Sequence, residues 1–148
     1  MSTYNQRNNT GQQLTTDYDN SKIFIWNNRT IDALYNNSVY SDVTLYSGTL
    51  MGRVTSTGFV KPLVSSASDG SQVPIGILNE TRTFGPGFLG NVSLVISGQV
   101  VEPKVILATG DTLDTTVASA GESQRLRDRI AYMGIILVPS TEITEFDN

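Results

Sequence analysis

From about Val39 to Val138 the apolar residues come in short runs, many with every second position polar, separated by glycine, proline and small polar residues. A helix needs apolar positions three and four apart over ten or more residues, whereas a half-buried strand needs only alternation over four to eight. Val43 and Leu45 alternate with polar neighbours, Leu50-Met51-Gly52-Arg53-Val54 follows a turn at Ser47-Gly48, and Phe59-Val60 follows Gly58. Pro62 marks a strand edge or end, because it has no N–H to donate. Asp69-Gly70 is a pair suited to a turn with positive φ, and Val73–Leu78 after it reads as a buried strand. Val92, Leu94 and Ile96 alternate, Gly98 suggests a bulge, and strand continues from Val100 to Leu107 with an interruption at Glu102-Pro103.

One helix is expected. Ser119 and Glu122 have the spacing of a capping box, Leu126, Ile130 and Met133 share a face, and Gly134 sits where a C-cap belongs. Ile135–Val138 is then a closing strand ended by Pro139. The expected fold is mostly β with one short C-terminal helix, an α+β domain.

The two ends differ from this core. Residues 1–21 hold almost no aliphatic side chains, too few to offset the entropy of ordering, so a flexible N-terminal arm is expected. Its Thr and Tyr residues leave open an extended conformation against a partner. Ile23-Phe24-Ile25-Trp26 is an apolar cluster ahead of Asn27-Asn28, either a short strand docked on the domain or an anchor for something else. The division expected is an arm at 1–21, a linker or docking segment at 22–42, the domain at 43–139 and a frayed acidic tail at 140–148.

Composition bounds the chemistry. A chain of 148 residues makes one domain with room for an appendage. It has neither cysteine nor histidine, which removes thiol nucleophiles, thiolate metal sites, disulfides and the commonest general base. A net charge of -4 argues against nucleic acid, which needs a basic patch to displace counterions. No basic-then-apolar signal segment opens the sequence and no apolar run is long enough for a membrane helix, so a soluble protein without membrane contact is expected. Sequons at Asn8, Asn28, Asn36, Asn79 and Asn91 read as chance in so Asn- and Thr-rich a chain.

Several stretches mimic active chemistry. Gly85-Pro86-Gly87-Phe88-Leu89-Gly90 spells a dinucleotide fingerprint, but the alternating NVSLVISG after it is strand, so no helix N-terminus is there to hold a pyrophosphate. Asp111 with Asp114, and Asp17 with Asp19, lack the ligand spacing of a calcium loop and read as turn or solvated residues. Arg125, Arg127 and Arg129 are explained by helix-surface pairing of Arg125 with Glu122 and Asp128, with Arg127 reaching an acidic partner as the functional alternative. No catalytic constellation, cofactor site or metal site is expected.

Three stretches occur in a telling order. Ser68-Asp69-Gly70-Ser71-Gln72 before Ile75-Gly76-Ile77-Leu78 resembles the "DG…(A/V)-G-I-L" segment of the lambda-type bacteriophage head decoration proteins. Upstream, Gly48-Thr49-Leu50-Met51-Gly52-Arg53 is similar to that family's "G-x-(V/L)-(L/M)-G" strand. Downstream, Ser97-Gly98-Gln99-Val100, Val105-Ile106-Leu107, the helix around Glu122–Arg129 and Gly134-Ile135-Ile136 keep its order, so that the resemblance covers roughly residues 43–139.

The resemblance implies a β-clip-like domain that assembles as a homotrimer and carries out no catalysis. Such trimers bind the major capsid protein on the outside of the expanded head, at three-fold and quasi-three-fold positions, and cement it against DNA pressure. It implies a virion location on the outer capsid surface, after synthesis in the bacterial host cytoplasm. Gly52, Asp69, Gly70, Gly76, Ile77, Leu78 and Gly134 are then scaffold positions. Capsid contact is expected from the arm, at Thr10, Leu14, Thr15, Thr16 and Tyr18, and from Ile23, Phe24, Ile25 and Trp26. Residues 22–42 have no counterpart in the resemblance. Two other classes compete. A virion-surface glycan-binding module would use exposed aromatics, for which Trp26, Tyr35, Tyr40 and Tyr46 are available. A trimeric dUTP pyrophosphatase is suggested by Ile31-Asp32-Ala33-Leu34-Tyr35, but that enzyme's flanking glycines and Arg-Ser-Gly motif are missing.

Overall fold

In a computed structural model, residues 23–119 and 122–139 are described. Ten strands and one α-helix follow in chain order: β1 Phe24–Asn36, β2 Val43–Leu45, β3 Leu50–Arg53, β4 Val60–Pro62, β5 Pro74–Leu78, β6 Arg82–Phe84, β7 Leu89–Val101, β8 Thr116–Ser119, β9 Glu122–Arg125, α1 Leu126–Tyr132 and β10 Ile135–Val138. The protein is thus mostly β with one short helix near the C-terminus, as expected.

The strands β1, β4, β3, β5 and β7 form a closed five-stranded barrel, because β1 pairs with both β4 and β7. Closure leaves none of the five with a fully open edge, the usual liability of a small sheet. The two long strands make the seam: β1 runs antiparallel to β7 from Phe24↔Val100 to Asn36↔Leu89. At the rim β10 lies parallel to β7, Ile135↔Gly98 through Val138↔Val101. The ribbon of β2 and β6 and the hairpin of β8 and β9 complete the described strands.

Two cores explain the sequence pattern. Inside the barrel, Met51, Leu78, Val92, Leu94, Ala33 and Tyr35 pack with Val60, and Leu45 and Phe84 of the ribbon join them. On the outer side of β3 and β5, Leu50 and Ile77 are register partners and pack under Leu126 and Ile130 of α1. Leu50-Met51 and Ile77-Leu78 are therefore apolar doublets because each strand lies between two cores, with one residue for each. Continuous apolar runs are what burial on both faces selects.

A bulge occurs at Gly98 but in the facing strand: between Trp26↔Gln99 and Arg29↔Ser97, β1 sets two residues, Asn27 and Asn28, against Gly98 alone, which takes φ 120°. The slip brings Asn28 against Gly98 so closely that a Cβ there would lie 2.8 Å from the Asn28 Cα. Glu102–Lys104 is a 3₁₀ turn with Pro103 in its first turn, and beyond it only the bridge Thr49↔Ile106 continues strand pairing in Val105–Leu107.

Two expectations are corrected. Ser119 and Glu122 are not a capping box: they face each other as register partners at the ends of β8 and β9. The helix starts only at Leu126, after Arg125, and no side chain caps it. The Ser-x-x-Glu spacing equally suits a hairpin with two intervening residues, and Val117, buried between two exposed neighbours, favours the strand. The segment 22–42, expected to link or dock, is largely barrel wall, since Phe24–Asn36 is one of the two longest strands. The folded unit accordingly extends well upstream of residue 43. Its polarity misled because Thr30 and Asp32 point outward while Ala33 and Tyr35 fill the barrel.

Candidate docking surface

The Asp69-Gly70 turn is held by side-chain and backbone hydrogen bonds. Ser71 donates from its backbone N to Asp69 Oδ1 at 3.0 Å, and its hydroxyl donates to the same oxygen at 2.6 Å. Lys61 Nζ sits 2.8 Å from Asp69 Oδ2. Gly70 takes φ 100°, and Thr55 N donates to the Asp69 carbonyl at 2.8 Å. Gly52 and Gly76 meet the need for close approach: a Cβ on Gly76 would lie 3.0 Å from Leu94 Cβ, and one on Gly52 would enter the Ser71 carbonyl. The C-cap of α1 is Met133, one residue before the expected Gly134, and Gly134 follows it at φ 96° and ends the helix in the left-handed region. Ile77 and Leu78 of β5 are fully buried, one in each core.

The hydrogen bonds from Lys61 and Ser71 hold the Asp69 carboxyl well below the usual carboxylate range. A depressed pKa means the folded state favours the ionised form, so the stabilisation is complete above the unfolded value. It is lost as pH falls below about 3.8 toward the lower folded value. Urea midpoints measured from pH 6 down to pH 2 should therefore fall more steeply for the wild type than for Asp69→Asn. Parallel curves would remove Asp69 from the acid response.

The predicted capsid-contact residues separate on inspection. Thr10, Leu14, Thr15, Thr16 and Tyr18 lie outside the described residues, as do Asp17 and Asp19. Ile23 and Phe24 pack against the protein's own helix-side core, and Val101 N donates to the Ile23 carbonyl at 2.8 Å. Ile25 is half-buried, and Trp26 is 69% exposed. The apolar cluster is thus an anchor for its own chain at one end and a surface side chain at the other.

Around Trp26 the structure assembles residues that sequence patterning did not single out as site residues. Trp26 is opposite Gln99, and Gln99 is opposite Ile136 of β10, so the three form a row across three strands. Ile136 is 60% exposed. Arg29, Asn27 and Ser97 surround the same shallow concavity of about 270 Å³. Asn27 stands at φ 53°, the only described non-glycine residue with positive φ, and Asn28 Nδ2 donates to the Gln99 carbonyl at 3.2 Å. The Asn27-Asn28 pair and Gly98 were the available signals, since bulges often re-aim a side chain. A second outward pair, Leu34 and Leu89, lies on the same seam nearer the other end, with Leu89 58% exposed.

The charged side chains that resembled a partner site turn inward on the molecule. Arg127 makes a bidentate pair with Glu102, at 3.0 and 2.9 Å, and its Nε lies 3.3 Å from Asp114 Oδ1. Glu102 first, and Asp114 second, raise the Arg127 pKa above its already high ordinary value. This fork ties α1 to the 3₁₀ turn. Arg125 pairs with Asp128 and Asp114 rather than Glu122. Asp111 accepts from the Ser65 backbone N at 3.0 Å and so fastens a loop. Gly85–Gly87 is a turn and β7 follows it, as the alternation indicated. Ile31–Tyr35 lies within β1, with Ala33 and Tyr35 pointing into the barrel core.

Among the described residues no three His, Cys, Asp or Glu side chains come together as a metal cluster, and no helix is long and apolar enough to cross a membrane. Compared with known proteins, the chain matches no family model and no curated protein.

Proposed function

We propose that the protein is a structural head decoration protein of the lambda type, which binds the major capsid protein on the outside of an expanded phage head. One observation carries this most directly: the segment 1–22 joins the barrel at Ile23 and Phe24, which pack, partly buried, against the protein's own helix-side core. An arm rooted on the barrel keeps the domain close to whatever lattice the arm binds, so further copies and contacts act at high effective concentration. An arm so poor in aliphatic residues costs ordering entropy on binding, and adding a strand to an exposed sheet edge offsets that cost with backbone hydrogen bonds. Many copies on one lattice act together, so modest affinity per copy suffices.

The decoration-family resemblance adds support, since Gly52, Gly70 and Gly76 stand where close backbone approach or a left-handed turn needs them, and the Asp69 carboxylate ties the turn. The domain is proposed to be β-clip-like and to form a homotrimer through outward apolar side chains, of which Leu34 and Leu89 on the β1–β7 seam are the candidates. With Ile23 and Phe24 occupied internally, capsid contact falls to the arm.

Co-sedimentation with expanded, undecorated heads tests the proposal. The full chain should bind saturably, and a chain lacking residues 1–21 should lose binding while light scattering still gives three chains per particle. Undiminished binding by the shortened chain would sink the arm's role. No binding by the full chain would sink the function.

A further inference from the structure

We propose that the concavity beside Trp26 binds a saccharide, one pyranose ring carrying a carboxylate, of the kind found in acidic surface polysaccharides. Its volume, about 270 Å³, lies just under the range of roughly 300–1,000 Å³ typical of drug-sized ligand pockets, which suits a single ring. Trp26 shows 69% of its surface although its strand neighbours Ile23 and Phe24 are packed away. An indole face held open in this way is a stacking platform for the C–H face of a sugar, with Ile136 extending the apolar floor.

The rest of the lining is polar. Asn27, Ser97 and Gln99 offer amide and hydroxyl groups that both donate and accept, which matches the paired character of sugar hydroxyls. Their side chains make no hydrogen bond to another described residue. Arg29 adds a planar guanidinium fork, the side chain best shaped for a carboxylate. The chain as a whole is acidic at -4, so a preference for an anionic ring has to come from this local cation. A protein-docking patch of this size would show a more apolar centre than four polar side chains around one tryptophan.

The backbone holds the constellation in place. Asn27 at φ 53°, Gly98 at φ 120° and Gly134 at φ 96° all line the concavity. Left-handed backbone in a non-glycine residue costs free energy and persists where the surroundings fix it, often at ligand sites. Here the fixing comes from strand pairing on both sides of Gln99, to Trp26 and to Ile136. A site carried on paired strands is more exact than one on loops. Sugar binding and capsid attachment are separable, because residues 1–22 can span roughly 70 Å and need not press this face onto the capsid.

Trp26 is the only tryptophan, so its fluorescence reports on the site without a label. The full chain is titrated with methyl β-glucuronide, methyl β-glucoside and sodium acetate. The glucuronide should give a saturable change with a dissociation constant in the millimolar range, about tenfold tighter than the glucoside, the worth of one charge-assisted hydrogen bond. Acetate should give none. Arg29→Gln, at an exposed position, should bring the glucuronide to the level of the glucoside, and Gln99→Ala should weaken both sugars. Silence toward both sugars at tens of millimolar would overturn the proposal. So would an acetate response equal to that of the glucuronide, or an acid preference that survives Arg29→Gln. A Trp26 response to undecorated phage heads without any to sugars would assign the face to protein contact and overturn it equally.

Discussion

Gly52→Val is expected to lower the unfolding free energy by about 4 kcal/mol or more, enough to leave little folded protein. Gly52 is central in β3, and the first atom added to it would run into the backbone carbonyl of Ser71. A flexible side chain could swing aside; this carbonyl cannot. It belongs to the turn that Asp69 holds through two bonds to Ser71, and Ser71 is itself fully buried. Relief requires moving either β3 out of register with β5 or the turn away from the barrel. Gly52→Ala already introduces the clash and should show most of the loss in urea denaturation. A midpoint close to that of the wild type would mean that the turn yields more easily than its hydrogen bonds suggest.

Leu126→Ala is expected to cost about 3–4 kcal/mol, in the range for a fully buried leucine truncated without collapse of its surroundings. Leu126 is wholly buried where α1 meets Leu50 and Ile77 on the outer side of the barrel. A helix of seven residues has too few internal hydrogen bonds to stand alone. Its position depends on Leu126 and Ile130 below and on the Arg127–Glu102 fork beside them. The half-buried fork, still reached by solvent, contributes less than the fully buried leucine. The same truncation at Ile136, on the open face of β10, should change stability by less than about 0.5 kcal/mol. Equal losses at the two positions would contradict the packing described for α1.

Much of the fold was legible because alternation and turn residues report local environment. Val92 and Leu94 turn one way in β7, Gly98 breaks the ladder, and Gly134 stops the helix, each by a local steric rule. What local rules miss is pairing. Phe24–Asn36 looked like a linker because its outward residues are polar, and only its register with β7 makes it barrel wall. Ser119 and Glu122 satisfied a helix rule and a hairpin rule equally, and the decision came from Val117 entering the helix-side core. The candidate surface was legible at Trp26 and, more faintly, in the Asn27-Asn28 pair and Gly98. Gln99 and Ile136 join it through strand order, which no spacing in the sequence encodes.

The seam between β1 and β7 also bears on how the chain comes to be folded. Phe24 pairs with Val100 and Asn36 with Leu89, so during synthesis β1 waits through more than fifty residues for its main partner. Contacts so distant along the chain slow folding, because loop closure is completed before the pairing rewards it. During synthesis β1 is an unsatisfied edge, open to pairing with another nascent copy. The outward residues of its Trp26–Asp32 stretch include Asn27, Arg29, Thr30 and Asp32, charged and polar groups of the kind that discourage such aggregation. The polarity that hid this strand in the sequence protects it until β7 arrives.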